Sequence, residues 1–270
     1  MRIRSIAWFI VICFWLVTAD VDVASATNDE LPLTGASIQR PTTEGRVRGY
    51  WHDGTWNFRG IPYARPPVGE LRWRAPLAPP SRGATVLDAG VWGPQCPQDE
   101  GQGSPFSTVA QKEECLSLNI WSPSVTGMKP VMVWIHGGGF TTGSPVSPLT
   151  MGDTLAREYG VVMVTINYRL GALGFLVHKG LIGEDPARPD AAGNYGFLDQ
   201  IRALEWIRDN IASFGGDPGN VTILGQSAGG ISVIGLLASP QSEGLFHKAI
   251  VESGPALGER SEERRVGKEC

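Results

Sequence analysis

Four short runs rich in β-branched and apolar residues, each closing on glycine or polar loop residues, constrain this chain more than any other feature. Val131 to Ile135 ends in His136-Gly137-Gly138-Gly139, and Val161 to Ile166 ends at Asn167-Tyr168-Arg169. Val221 to Leu224 ends at Gly225, and Ala249 to Val251 begins a fourth run. Such runs suit strands buried on both faces of a parallel sheet. Helical patterns lie between them. Phe197, Ile201, Leu204, Ile207 (or Arg208), Ile211 and Phe214 recur at three or four residues and form an apolar stripe closed by Gly215-Gly216. Ala228 to Ala238 reads as a second, largely apolar and hence buried helix. Strand, helix, strand, helix predicts an α/β fold, a mostly parallel central sheet with right-handed crossovers and flanking helices.

Upstream the signals are weaker. Residues 27 to 44 are polar and unpatterned and read as a loose segment. Extended stretches around Val47 and Trp56, separated by Asp53-Gly54, predict a hairpin. Arg65 to Pro80 is proline-rich and predicts irregular loop, and Leu116 to Trp121 predicts a short strand. There is no internal repeat and no low-complexity tract. With 23 Lys+Arg against 27 Asp+Glu and 19% charged residues, the chain is neither a disordered polyelectrolyte nor an electrostatic nucleic-acid binder.

The N-terminus carries an address. Arg2 and Arg4 precede twelve apolar residues, Ile6 to Val17, and Ala24-Ser25-Ala26 follows. That is the form of a secretory signal peptide with cleavage after Ala26, and the run is too short to span a bilayer. Export, to the extracellular space or a periplasm, permits disulfides. Cys13 leaves with the signal, and Cys270 lies in the tail discussed below. Cys96 and Cys115 remain, either as a pair or as two core thiols. A bridge closing about 20 residues contributes roughly 3 kcal/mol on the chain-entropy account.

Gly225-Gln226-Ser227-Ala228-Gly229 fits the G-x-S-x-G pattern. It follows a buried strand and opens a helix, the context in which a serine is presented on a sharp turn. Small flanking residues let the chain bend and a substrate approach, and the helix N-terminus favours developing negative charge. Acyl transfer also needs backbone N–H donors aimed at an oxyanion. The amide of Ala228, next after Ser227, supplies one. The glycine loop 136–140 supplies a place for others, because glycines let consecutive amides turn to one point.

These residues resemble the type B carboxylesterases, a family that includes cholinesterase-like proteins. The stretch from Phe214 to Gly230 is similar to the family's nucleophile-elbow signature, and Glu114 to Asn119 to its second signature. Phe58 to Ala64, Leu71-Arg72-Trp73 and Asn167 to Gly171 also match, so the likeness runs from about Gly45 to Pro255. It implies an α/β-hydrolase fold, cut off after the elbow, and hydrolysis of small-molecule carboxylic esters without metal or cofactor. It implies Ser227 as nucleophile, Gly138, Gly139 and Ala228 as oxyanion donors, and Cys96–Cys115 as the first disulfide. Ser253 matches a serine that supports the triad, or is simply a serine at a strand end.

Two departures narrow the resemblance. Residues 97–114 contain Phe106 and no Trp, and Gln226 stands where cholinesterases have Glu. A cation–π site for quaternary ammonium is therefore not expected. A general carboxylesterase is expected, against a non-catalytic adhesion ectodomain or a lipase or peptidase on the same fold. Nucleic acid and membrane spans are not expected, and nothing sets an oligomeric state. Asn220-Val221-Thr222 fits a glycosylation sequon but reads as structural.

The triad is incomplete in this sequence. In this fold the order is Ser, then acid, then His. Of His52, His136, His178 and His247, only His247 follows Ser227, and it reads as a helix end before a strand. Arg260 to Cys270 fits no family pattern and reads as an in-frame translation of a sequencing adapter. The expectation is a signal peptide over 1–26, half a hydrolase domain over 27–259, and a non-native tail over 260–270. As written, the chain is expected to be inactive and to fold poorly for want of acid, base and covering strands.

Overall fold

A computed structural model describes residues 32–99, 109–147, 151–183 and 193–254. The apolar run 6–17, the site after Ala26, Phe106 and the tail 260–270 lie outside them. The described residues form one nine-stranded mixed sheet with helices on both faces.

The N-terminal part is an antiparallel meander. Strand β1 (Ser37–Thr42) pairs with β2 (Gly45–His52), and β2 with β3 (Thr55–Pro62). The expected hairpin is present. Asp53 and Gly54 sit at φ 51° and 77°, the pair of left-handed residues that a tight two-residue turn requires. Strand β1 corrects the reading of 27–44 as loose throughout. Its residues alternate between exposed and half-buried, so a polar edge strand leaves no apolar period to detect. A two-residue strand, β4 (Leu87–Asp88), lies parallel to β2. Strand β5 (Ser117–Ser122) pairs antiparallel with β3 and is wholly buried.

The parallel block carries the site. Strands β6 (Lys129–Ile135), β7 (Val162–Ile166), β8 (Gly216–Gln226) and β9 (Lys248–Glu252) run in the spatial order β7-β6-β8-β9, all parallel. Strand β5 joins β7 antiparallel, so the parallel character expected from the apolar runs holds in this block and stops at β7. Strand β8 begins at Gly216, well before its apolar run, because Gly216 pairs with Lys129 ahead of a register shift.

Helix α1 (Asp153–Tyr159) crosses from β6 to β7 and ends on Gly160 in the left-handed conformation. It covers one face, where Ala156 packs with Trp121, Met163, Met132 and Trp134. After a five-residue turn, α2 (Gly171–Phe175), helix α3 (Tyr195–Asn210) continues as a 3-10 turn to Phe214 and stops at Gly215, φ 84°. Helix α4 (Ala228–Ala238) matches its expected bounds. Helices α3 and α4 cover the other face, over Val131, Val133, Ile135, Val221 and Ile223. The expected burial of α4 holds on one side only, since Leu237 is 56% exposed.

Candidate active site

The C-terminal ends of β6 and β8 converge on Ser227. This serine joins β8 to α4 at φ 57°, ψ −120°, a conformation in which a side chain is strained. The turn is held from both sides. The Ser227 amide donates to the Glu252 carbonyl at 2.8 Å, and the Ser227 carbonyl accepts from the Ile231 amide at 2.9 Å. Its glycines are dictated by contact. A methyl at Gly229 would stand 2.0 Å from the Ile135 carbonyl oxygen, and one at Gly230 2.8 Å from that of Glu252. Only hydrogens let α4 lie this close to β6 and β9.

The glycine loop after β6 folds back onto the elbow. A methyl on Gly137 would lie 2.6 Å from the Gln226 carbonyl oxygen and 3.3 Å from Ser227 Cβ. Gly138, Gly139 and Phe140 follow at φ 107°, 62° and 63°, three left-handed residues in a row. Such a run turns successive amides the same way. The Gly138 carbonyl accepts from the amides of Thr141 and Thr142. Among the described residues, the amides of Gly138, Gly139 and Ala228 have no acceptor. Ser227, half-buried, has no partner on its hydroxyl among them either.

The loop is supported from beneath. The Tyr168 hydroxyl donates to the His136 carbonyl at 2.8 Å, and the Gly171 amide donates to the Phe140 carbonyl at 2.7 Å. The His136 ring stacks on Tyr168 with centroids 4.4 Å apart, and its Nδ1 meets the Gly137 carbonyl at 2.9 Å. Burial pushes the His136 imidazole down to about 4, only partly offset by that carbonyl. The ring is neutral near pH 7, with the proton on Nδ1 for the carbonyl to accept.

None of the four histidines meets Ser227. His136 is engaged as described. His247 donates its amide to the Val221 carbonyl and accepts the Val221 amide on Nδ1, which fixes it beside the middle of β8, just ahead of β9. His52 stands at the hairpin tip, at the end of the sheet where β7 starts, away from the elbow. His178 is exposed and accepts the Gly180 amide on Nδ1. Ser253, at φ 50° and exposed, follows Glu252 beside the elbow, and its hydroxyl bonds nothing among the described residues. Cys96 and Cys115 are joined and fully buried. Among the described residues no three His, Cys, Asp or Glu side chains gather to hold a metal ion, and no helix is long and apolar enough to cross a membrane.

Sequence reasoning attached no role to Tyr168 or to Gln98, which bonds the end of the glycine loop. Tyr168 lies within a matched motif, but no local pattern links residue 98 to residue 143.

A family profile described as the carboxylesterase family matches residues 36–269. The chain is 48% identical over 216 residues to the para-nitrobenzyl esterase of Bacillus subtilis, covering 79% of this chain and 43% of that one. It is 46% identical over 228 residues to the phenmedipham hydrolase of Pseudarthrobacter oxydans, covering 81% and 44%. A crystal structure of a Geobacillus stearothermophilus carboxylesterase superposes with TM-score 0.72 at 44% identity, covering 79% of this chain and 42% of that one. The chain thus spans less than half the length of these relatives.

Proposed function

The chain belongs to the carboxylesterase family, with its α/β-hydrolase fold, and from that premise we propose that the whole protein hydrolyses small-molecule carboxylic esters through an acyl-enzyme on Ser227. One observation carries the reading: a strained serine at a helix N-terminus faces a glycine loop whose amides at Gly138 and Gly139, with that of Ala228, have no acceptor among the described residues. Ser227 Oγ adds to the acyl carbon and passes its proton to a base. The carbonyl oxygen becomes an oxyanion and accepts from the three amides. Expulsion of the alcohol, which takes that proton, leaves the acyl-enzyme. Water then adds to the same carbon, releases the acid and restores the hydroxyl. Amides already oriented need no reorganisation as the charge develops, and each is worth about 3 kcal/mol.

The base and its orienting acid, in this reading, come from the part of the family fold that the chain does not span, since His52, His136, His178 and His247 are committed elsewhere. Chain 1–270 alone should therefore give no acyl-enzyme burst. The reading also places the protein outside the reducing cytosol, with residues 1–26 as a signal peptide. The buried Cys96–Cys115 bridge supports that placement.

The test uses the whole protein with p-nitrophenyl acetate. Ser227→Ala should lower kcat by about 10⁴-fold or more and abolish labelling by a fluorophosphonate. Hydrolysis or labelling that survives the substitution would assign the nucleophile to another residue.

A further inference from the structure

The far end of the glycine loop is held by a side chain from another part of the chain. The Gln98 carboxamide bonds both polar groups of the Gly143 backbone. Its Oε1 accepts the Gly143 amide at 2.8 Å, and its Nε2 donates to the Gly143 carbonyl at 2.9 Å. The same Nε2 lies 3.1 Å from the Cys96 carbonyl and 3.3 Å from Gln95 Oε1. Gln98 is itself tethered. Its amide donates to Gln111 Oε1 at 2.8 Å, and it sits two residues past Cys96 in the loop that the disulfide to Cys115 closes.

Gly143 is not a passive end of the loop. At φ 120° it faces the loop's first residues so closely that a methyl there would lie 2.3 Å from His136 Nδ1 and 2.4 Å from the Gly137 carbonyl oxygen. Its neighbour Thr142 is equally close to the next residue: a methyl on Gly138 would lie 2.2 Å from the Thr142 carbonyl oxygen. Residues 142 and 143 therefore form the floor under the peptide planes of 137 and 138. Whatever fixes Gly143 fixes the direction of the amides above it.

We propose that Gln98 is a positioning residue for acyl transfer, its carboxamide clamping Gly143 so that the Gly138 and Gly139 amides keep the orientation an oxyanion needs. Gln98 thereby serves acyl transfer from a position next to the Cys96–Cys115 bridge. This rests on the reading of Ser227 and its oxyanion donors. An amide–amide pair of this kind needs both a donor and an acceptor, which glutamine supplies and its isosteres do not.

The clamp acts on the transition state more than on the ground state, so the kinetic signature is a loss in kcat with little change in KM. In the whole protein, Gln98→Ala should lower kcat for p-nitrophenyl acetate about 10-fold, with KM within about 2-fold, given what small misplacements of catalytic groups cost. Affinity for a trifluoromethyl ketone, whose adduct puts an oxyanion in the hole, should fall in parallel. Gln98→Glu keeps the acceptor but turns a carboxylate oxygen onto the Gly143 and Cys96 carbonyls, and should lose at least as much kcat as Gln98→Ala. Wild-type kcat and ketone affinity in a folded Gln98→Ala protein would overturn the proposal. So would a fall in thermal stability with ketone affinity unchanged, which marks a merely structural contact. Amide hydrogen exchange at 141–143 reads the clamp without catalysis, in either variant that folds. Faster exchange is expected, and unchanged exchange refutes the clamp. If Ser227→Ala stays active while exchange at 141–143 accelerates in Gln98→Ala, the fault lies with the assigned nucleophile and not with the clamp.

Discussion

His136 shows how one side chain can matter through its backbone and its neutrality. Its carbonyl takes the Tyr168 hydroxyl, its ring lies on the Tyr168 ring, and its Nδ1–H caps the Gly137 carbonyl beside the proposed oxyanion donors. Its Nε2 is buried without a partner among the described residues, so protonation there would place a charge in an apolar site. The folded pKa of about 4 lies below the ordinary value of 6.5, so the unfolded chain binds the proton more readily. Stability attached to neutral His136 is complete above about pH 6.5 and is lost as pH falls toward 4. By linkage that loss is about 2 kcal/mol at pH 5. Urea unfolding at pH 7.5 and pH 5 should show it in the wild type. His136→Asn keeps a donor near the Gly137 carbonyl but does not titrate, so its difference between the two pH values should be smaller by about that amount. An equal difference in both proteins would mean that the histidine is protonated as easily folded as unfolded.

At the scale of elements, the decisive feature of α4 is its set of glycines. Its residues are apolar nearly all round, so periodicity could give its bounds but not its buried face. The face is chosen by where the backbone can approach β6 and β9. Gly229 lies against the Ile135 carbonyl, a fixed backbone atom, whereas Gly235 faces the edge of the Phe197 ring at 2.9 Å, the end of a side chain that can turn. The two positions should therefore respond very differently to the same methyl. Gly229→Ala must push the helix off the sheet and should cost about 3 kcal/mol, as overpacking against backbone does. Gly235→Ala gains up to about 1 kcal/mol of helix propensity against a small shift of the ring and should be near neutral. Chemical denaturation of the two variants separates these outcomes, and equal destabilisation would contradict the contact argument. The elbow readable in the sequence as G-x-S-x-G is thus also a packing motif, with its second glycine required by β6.

Across the whole molecule, what could be read from the sequence was what local pattern encodes. The runs at 131–135, 161–166 and 221–224, the hairpin turn at Asp53-Gly54 and the helix opening at Ala228 each carry a nearby signal, and each is where that signal placed it. Strand β1 was invisible because a polar edge strand has nothing to bury on one face. The supports of the glycine loop were invisible for another reason: Gln98 and Gly143 are 45 residues apart, and Arg169 and Asp199 are 30 apart, so only the fold makes them neighbours. The second pair is the largest such tie. Arg169 donates from Nε and Nη2 to the two oxygens of Asp199, each at 2.7 Å, with both side chains almost wholly buried. Its amide also donates to that carboxylate at 3.1 Å, and Nη2 reaches the Arg74 carbonyl at 2.9 Å. The pair joins α3, the proline-rich loop and the segment after β7 that holds the glycine loop through Tyr168 and Gly171. Its value depends on completeness, because two buried charges repay their lost hydration only while they face each other. Asp199→Ala leaves Arg169 charged in an apolar interior and should destabilise by about 3–5 kcal/mol in urea unfolding. Arg169→Met combined with Asp199→Leu removes both charges and should recover most of that loss in stability. On the proposed reading, the double variant of the whole protein should still be a poorer catalyst than the wild type, since no ion pair then fixes the support under His136 and Phe140. A double variant with wild-type kcat would show that the ion pair holds the fold and leaves the glycine loop to its nearer bonds.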